Sequence, residues 1–440
     1  MSDQEFMETI QTIAEISADM EHYGHAFHVL EGRKLYFQSR LNAICDPLSN
    51  LPLELSSKIF IHCLPDEPYL QLDGPSAPML LLRICTAWSK IALSTPALWA
   101  TIRATFPRER LLSQRFQRAG SHLFRLHFRG RIDPLVAALI WRHSGRVEHL
   151  HIFLVEPKLP ERYRDDFFKI SLRRMPPYHI LSLDGQIPQP LPSLRVFSVR
   201  AVPKAAEREV NPSLILKIIR ASPNLVELDL HGLALIGSQA DIEPQIVLPN
   251  LRRFGYSADS PEVLNRISAP RLESLAIPFG WHSSLSIEGV FAFLQRSGTP
   301  PIRELEVQCF SRLDDLAALV PDLVHLRIVS PPVLVLEQHL TLLAEPNLSS
   351  NHFPNIHTLE ILDHPSNFQA ASTLLFSALT CRTAQLRTVR ITLERFESFD
   401  AAAEGSASVL APFQELLAGG MVIFLGDKNA ERNLLCVSQS

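Results

Sequence analysis

Eleven times along this chain the same phrase returns: an apolar residue, two of any kind, an apolar residue, one of any kind, and a third apolar residue. It begins at Leu123, Val147, Tyr178, Leu194, Leu225, Leu251, Leu272, Ile302, Leu323, Ile356 and Leu386, and reads LFRLHF, LVELDL, LESLAI or IRELEV in typical copies. The last two apolar positions are two apart, so they fall on one face of an extended strand. Seven copies carry a proline two residues ahead of the phrase, at Pro192, Pro223, Pro249, Pro270, Pro300, Pro321 and Pro354. A proline there stops any preceding helix and starts extended chain. A chain with this pattern has to stack copies of one strand-containing unit.

The phrases span 263 residues in ten steps, from Leu123 to Leu386, a mean of about 26 residues. Short helical patterns lie between them, as at Leu214 to Ala221, Glu262 to Ile267, Ile287 to Gln295, Asp314 to Val320 and Ala370 to Thr380. The unit is therefore strand, turn, helix, turn. It resembles the leucine-rich repeat, whose period is roughly 20 to 29 residues. That resemblance implies a solenoid with one parallel sheet on a concave side and helices behind it. The asparagine or cysteine of a regular repeat is not seen at a fixed place, so this is an irregular version. The competing reading is a generic α/β domain with short crossovers. Phe413 to Leu425 supplies a last helix and strand as a cap.

Ahead of the repeats stands LPLELSSKIFIHCLP and, after a spacer, MLLLRICTAWSKIALSTPALW. Pro52 suits the first turn of a helix. Leu55, Ile59 and Cys63 recur every four residues with Phe60 and Leu64 beside them, a wide apolar face. Leu80, Ile84, Trp88 and Ile91 form a second helical stripe, flanked by Leu81 and Cys85. Pro96 closes it, and Leu98 and Trp99 are presented just after. This is more apolar surface than two short helices bury against each other, so some of it has to meet something else.

These residues resemble an F-box: Leu-Pro opening a helix, Ile-Phe seven residues on, Cys-x-x-Trp in the next helix, then Pro-x-Leu-Trp. The long spacer from Pro65 to Pro78, and Thr86 where a basic residue is common, depart from the pattern. The resemblance implies a three-helix module that binds a Skp-family adaptor, with Leu51, Pro52, Leu55, Ile59, Phe60, Ile84, Trp88, Leu98 and Trp99 either touching the adaptor or holding the helices that do.

The first 46 residues carry a heptad. Counting three and four alternately from Phe6 lands on Thr9, Ile13, Ile16, Met20, Tyr23, Phe27, Leu30, Lys34, Phe37, Leu41 and Ile44, and nine of these eleven positions are apolar or aromatic. That is a coiled-coil seam. Gly24 and Gly32 each cost about 1 kcal/mol relative to alanine, which leaves the helix interrupted or marginal alone. The seam serves either self-association, a partner helix, or packing on the chain's own domains. Helix, a break at Asp46-Pro47 and then Leu-Pro-x-Glu is similar to the F-box proteins numerous in mushroom-forming fungi.

From Arg103 to Arg131 eight arginines face one acid, Glu109. Arginine forks bind carboxylate and phosphate, so Arg108, Arg110, Arg115 and Arg118 are candidates for holding an acidic or phosphorylated target. A solvated helix from Glu109 to Arg118 is the simpler reading, because a run in sequence is not yet a cluster in space.

Forty-two basic and 46 acidic residues leave a formal charge of −4, so no overall basic field invites nucleic acid. Six scattered cysteines form no C-x-x-C pair and read as reduced thiols. The opening MSDQEFMETI has no apolar core of a signal peptide, and the longest strongly apolar run, Leu416 to Gly426, is too short to span a bilayer. No nucleophile elbow, dinucleotide or P-loop glycine motif, or zinc-protease motif occurs. Seventeen histidines are present, and several, such as His149 with His151 or His122 with His127, sit at strand-like positions, with no cysteine or carboxylate spacing that turns a pair into a metal site.

The expectation is a mixed α/β and α+β chain in four parts: residues 1–46 the heptad helix, 47–102 the F-box, 103–122 a basic linker helix, and 123–440 the repeat solenoid with its cap. Its expected role is non-catalytic: the substrate-recognition subunit of a Skp-cullin-F-box ubiquitin ligase, binding an adaptor, through it a cullin-RING ligase, and a target protein. It takes no cofactor or metal and works in the cytoplasm or nucleus, without membrane. The second reading is an F-box scaffold acting outside a ligase, dimerising through its N-terminal helix.

Overall fold

The computed structural model describes residues 3–44, 48, 51–64, 77–105, 109–130, 132, 134–154, 190–201, 209–235, 245–258, 260–277, 287–308, 313–330, 333–344, 353–364, 368–393 and 404–426. The phrase at Tyr178, Arg108, Arg131 and most of the spacer after Pro65 lie outside them. The chain is mixed helix and strand with a large parallel sheet. It divides into two units, Met1–Ile102 with Ser113–His122, and Arg103–Leu112 with Leu123–Ser440.

The first unit is helical. Helix α1 (Asp3–Ile44) runs unbroken through Gly24 and Gly32. The glycines weaken a helix, but no proline removes a donor anywhere in it. Helix α2 (Leu53–His62) opens behind Pro52, whose φ of −52° and ψ of 146° end the preceding chain. The expected second helix is two pieces, α3 (Leu81–Ile84) and α4 (Thr86–Leu93). Cys85 breaks them apart with extended backbone, and its Sγ accepts the Trp88 N–H at 3.5 Å as the cap of α4. A single turn, α5 (Ala97–Ala100), follows.

The second unit is built on thirteen described strands in one sheet. In chain order these are β1 (Thr101–Thr105), β2 (Phe124–Arg129), β3 (Val147–Leu154), β4 (Val196–Ala201), the short β5 (Glu209–Val210), β6 (Glu227–Leu235), β8 (Arg253–Ala258), β10 (Ser274–Ile277), β11 (Glu304–Val307), β12 (His325–Val329), β13 (Thr358–His364), β14 (Thr388–Leu393) and β15 (Val422–Gly426). A two-stranded piece, β7 (Ile246–Val247) with β9 (Ile267–Ser268), stands apart. Spatial order follows chain order, and the pairings from β2 to β15 are parallel.

The register brings the phrases into phase. The second apolar position forms one row, Leu126, Leu150, Phe197, Leu228, Phe254, Leu275, Leu305, Leu326, Leu359 and Val389, with Ile423 closing it. All are buried.

The prolines do something more specific than stop a helix. Pro192 is the second residue of a β-turn in which Leu194 N–H donates to Leu191 O at 3.2 Å. The same bond, at 3.3 Å, runs from Leu225, Leu251, Leu272, Leu323 and Ile356 back to the residue before the proline. Proline's fixed φ favours that second turn position. In these six copies the first apolar residue of the phrase therefore closes a turn, and the strand starts two residues later. There one carbonyl serves two donors: Arg252 O accepts both Glu273 and Ser274 N–H at 2.9 Å, and Arg303 O, Val324 O and His357 O repeat the arrangement.

Helices in the connections complete the core. They are α7 (Pro134–Arg142), α8 (Pro212–Ala221), α9 (Glu262–Arg266), α10 (Ile287–Arg296), α11 (Leu313–Ala317), α12 (Val333–Ala344), α13 (Phe368–Cys381) and α14 (Glu404–Ala418), while α6 (Glu109–Arg118) passes into the first unit at Ser113. Asn211 starts α8 by accepting the Ser213 N–H at 2.9 Å, with Pro212 in the first turn. Phe293 of α10 meets Phe254 of β8 with ring centroids 5.4 Å apart. The buried Arg382 donates to Leu343 O, in the last turn of α12, at 3.2 Å, which satisfies an orphan helix carbonyl.

Gly232 bulges β6 where its register to β8 shifts between His231 and Leu233. Its φ is +67°, and a β-carbon there would sit 2.5 Å from the Ala201 carbonyl oxygen. Backbone cannot yield as a side chain tip does. Gly232→Ala is expected to lower the urea unfolding free energy by about 2–4 kcal/mol. A loss within experimental error would show that the bulge accepts a side chain.

Candidate functional site

Two surfaces carry the chemistry, one in each unit. In the helical unit, Phe60 is fully buried and its ring centroid lies 5.0 Å from that of Trp88. Ser57 Oγ and Thr95 Oγ1 are hydrogen-bonded at 2.9 Å. Leu98 and Trp99, expected on display, are turned inward and fully buried. The indole of Trp99 explains this: its Nε1–H donates to the Ala92 carbonyl at 2.9 Å, and the Arg118 guanidinium stands 4.6 Å over its ring. Trp99 is thus the pin of the bundle.

With that side of the helices filled, the other side of α2 faces out. Leu51, Leu53, Leu55, Ile59 and Ile61 are 37–49% exposed, Pro52 is exposed, and Met79, Leu80 and Leu93 of the same unit are exposed too. Ile84 and Trp88 are half-buried. Seven of the nine candidate residues therefore separate by place: Leu51, Pro52, Leu55 and Ile59 are exposed and Phe60, Leu98 and Trp99 are buried, with Ile84 and Trp88 between the two. Leu55 and Ile59 stand four residues apart, the period of one helix face, and Leu51 lies two residues before α2 begins.

The arginines are not one cluster. Arg110 is exposed on α6, and Arg118 is engaged on Trp99. Burial, and then the Arg118 cation, hold the Arg115 guanidinium below its ordinary range. Arg125, on β2, pairs with Glu148 at 3.4 Å.

Sequence reasoning missed the second surface. Between the buried rows, the alternate strand residues make a row of the opposite character: His127, His151, Ser198, Asp229, Gly255, Ala276, Glu306, Arg327, Glu360, Arg390 and Phe424. The signal was present as the single variable residue between the second and third apolar positions of each phrase. Its neighbours in space lie about one repeat away in sequence, so only the register reveals the row.

Each part of the row is internally matched. Asp229 accepts from Ser198 Oγ at 3.2 Å and from Arg200, and a β-carbon at Gly255 would lie 2.7 Å from its Oδ1. Arg327 bridges two carboxylates, Nε to Glu360 Oε2 at 2.7 Å and Nη1 to Glu306 Oε2 at 3.2 Å. The Arg390 guanidinium lies 5.3 Å over the Phe424 ring. At the other end the rings of His127 and His151 stack 4.5 Å apart and 5° from parallel, and the Nδ1 atom of each is buried without a hydrogen-bond partner. His122, grouped with His127 from spacing, lies ahead of β2 and is exposed. Among the described residues no group of three or more histidine, cysteine or acidic side chains is placed to hold a metal ion, and no helix is long and apolar enough to cross a membrane.

The histidine stack has a consequence for pH. Burial, then the His151 and Arg103 charges, push His127 down to about 3; burial, then His149 and Arg200, push His151 down to about 4. Both folded values lie below the unfolded value, so below about pH 6.5 the unfolded chain takes up protons that the folded chain refuses. Stability from this pair is whole above that pH and is lost as pH falls toward 4 and 3. Between about pH 7 and 5 the urea unfolding free energy should drop, and His127→Gln with His151→Gln should remove on the order of 2 kcal/mol of the drop. An identical drop in the double variant would assign it to other groups.

The chain matches no protein-family model, and no curated protein matches it.

Proposed function

We propose that this chain is the substrate-recognition subunit of a Skp-cullin-F-box ubiquitin ligase, with an F-box in its helical unit and an irregular leucine-rich-repeat domain in its sheet unit. One observation carries the reading: Leu55 and Ile59 of α2, with Leu51 just ahead of it, keep apolar surface exposed, although Phe60 and Trp99 of the same unit are fully buried. Exposing such a stripe costs solubility unless a partner covers it. The partner is a Skp-family adaptor and, through it, a cullin-RING ligase. The polar row on the sheet, flanked by loops at the strand ends, is where a target protein docks.

The mechanism is positional. Tethering holds a target lysine near the charged conjugating enzyme at an effective concentration of roughly millimolar, and no residue of this chain makes or breaks a bond. The place of action is the cytoplasm or nucleus.

A second reading, an F-box scaffold outside any ligase, draws on the exposed apolar seam of α1, where Met20, Tyr23 and Phe27 are all exposed. Co-purification with a cullin, and accumulation of a captured protein when the chain is deleted, favour the ligase. Neither result favours the scaffold.

Leu55→Glu with Ile59→Glu changes only exposed positions, so circular dichroism should be unchanged while capture of the adaptor falls by at least about 100-fold, as for two central anchors of an interface. Full capture by the double variant would end the reading of α2 as the adaptor surface.

A further inference from the structure

The seam of α1 faces solvent along its described length: Ile16, Met20, Tyr23, Phe27, Leu30, Phe37 and Leu41 are all exposed. A lone 42-residue helix, about 63 Å long, gains nothing from such a seam. Its charges are divided lengthwise. Before Gly24 stand six acids (Asp3, Glu5, Glu8, Glu15, Asp19, Glu21) and no lysine or arginine; after it come Arg33, Lys34 and Arg40 with the one acid Glu31. We propose that two copies of this chain associate through α1 as an antiparallel two-stranded coiled coil, in the register that pairs positions whose numbers add to 50.

The heptad selects orientation and register together. In that register every first seam position of one helix meets a second seam position of the other: Met20 against Leu30, Tyr23 against Phe27, Ile16 against Lys34. The aromatic layers fall at the centre, twice by symmetry. The flanking positions then place Asp19 of one copy beside Arg33 of the other, again twice, and lay each acidic half along a basic half. A parallel pair would set Lys34 against Lys34 in the seam, acid along acid, and Asp19 beside Gly24. Gly24 also finds its reason: it and Ala26 flank the two-fold axis, where small side chains let the backbones close around the Tyr23 and Phe27 rings. Apart from its two chain neighbours and the backbone of its own helix, no atom of the described residues lies within 4 Å of where a β-carbon on Gly24 would be, so packing among them does not ask for glycine.

Tyr23, Phe27 and Phe37 of both copies, at about 150–250 Å² each, bring on the order of 1,000 Å² to the interface, enough for a specific pair. Residue 44 of one helix lies opposite residue 6 of the other, so the ends leading on to α2 are held about 57 Å apart along the axis. The dimer thus presents two α2 surfaces without crowding. The inference stands whether or not the ligase reading does.

Sedimentation equilibrium of the full chain at micromolar concentration tests it. Twice the chain mass is expected, with Phe27→Lys monomeric. Asp19→Lys should weaken the dimer about tenfold, and Asp19→Lys with Arg33→Glu should restore it. A monomeric natural chain, whether α1 is free for another protein or folds back on its own, overturns the proposal. So does a dimer that Asp19→Lys leaves unchanged, or one that Arg33→Glu fails to rescue.

Discussion

The sheet unit depends on one constraint, the phase of its strands. A parallel strand slipped by one residue would turn its apolar set to the solvent side, and here ten neighbouring strands would each be exposed to that error. In six copies a β-turn ahead of the phrase prevents it. Proline at the second turn position sets the approach, the first apolar residue closes the turn and is buried, and a single carbonyl of the previous strand takes the first two N–H groups of the next. In those copies the strand then begins at the same place of the phrase, so Leu228, Phe254 and Leu275 become one continuous core row.

The polar row is the by-product of that same phase. Once alternate residues are locked inward, those between them are brought side by side across the sheet, and each has to be reconciled with its neighbours. Arg327 does so by bridging Glu306 and Glu360, Asp229 by meeting Arg200 and Ser198 over the bare backbone of Gly255, and the two histidines by stacking uncharged. The result is a surface that changes character along its length: aromatic nitrogen at one end, a carboxylate and guanidinium alternation toward the other.

In the helical unit the organising contact is Trp99. Its indole reaches the Ala92 carbonyl and is covered by Arg118, while α2 turns Ser56 and Phe60 inward and leaves Leu55 and Ile59 exposed. An arginine from the run that composition marks as a target-binding candidate is thereby committed to holding the fold. Its neighbours Arg110 and Arg115 stand in different environments, one exposed and one half-buried, so adjacency in sequence did not become a cluster of equivalent charges.

By itself the amino-acid sequence determined the kind of element over much of the chain, because period two in the phrases and period three to four in α1 and α2 are local properties of the backbone. The four-residue spacing of Leu55 and Ile59 on α2 was legible for the same reason, but not that this face stays exposed. Only the tertiary structure decided what depends on partners distant in sequence. The break at Cys85 was hidden behind an unbroken helical stripe, since hydrophobic spacing does not report a change of backbone direction. The inward turn of Trp99 depends on a carbonyl seven residues away and a guanidinium on another helix. The row from His127 to Phe424 exists only through register, a relation between strands set by turns and hydrogen bonds that no single window of sequence contains.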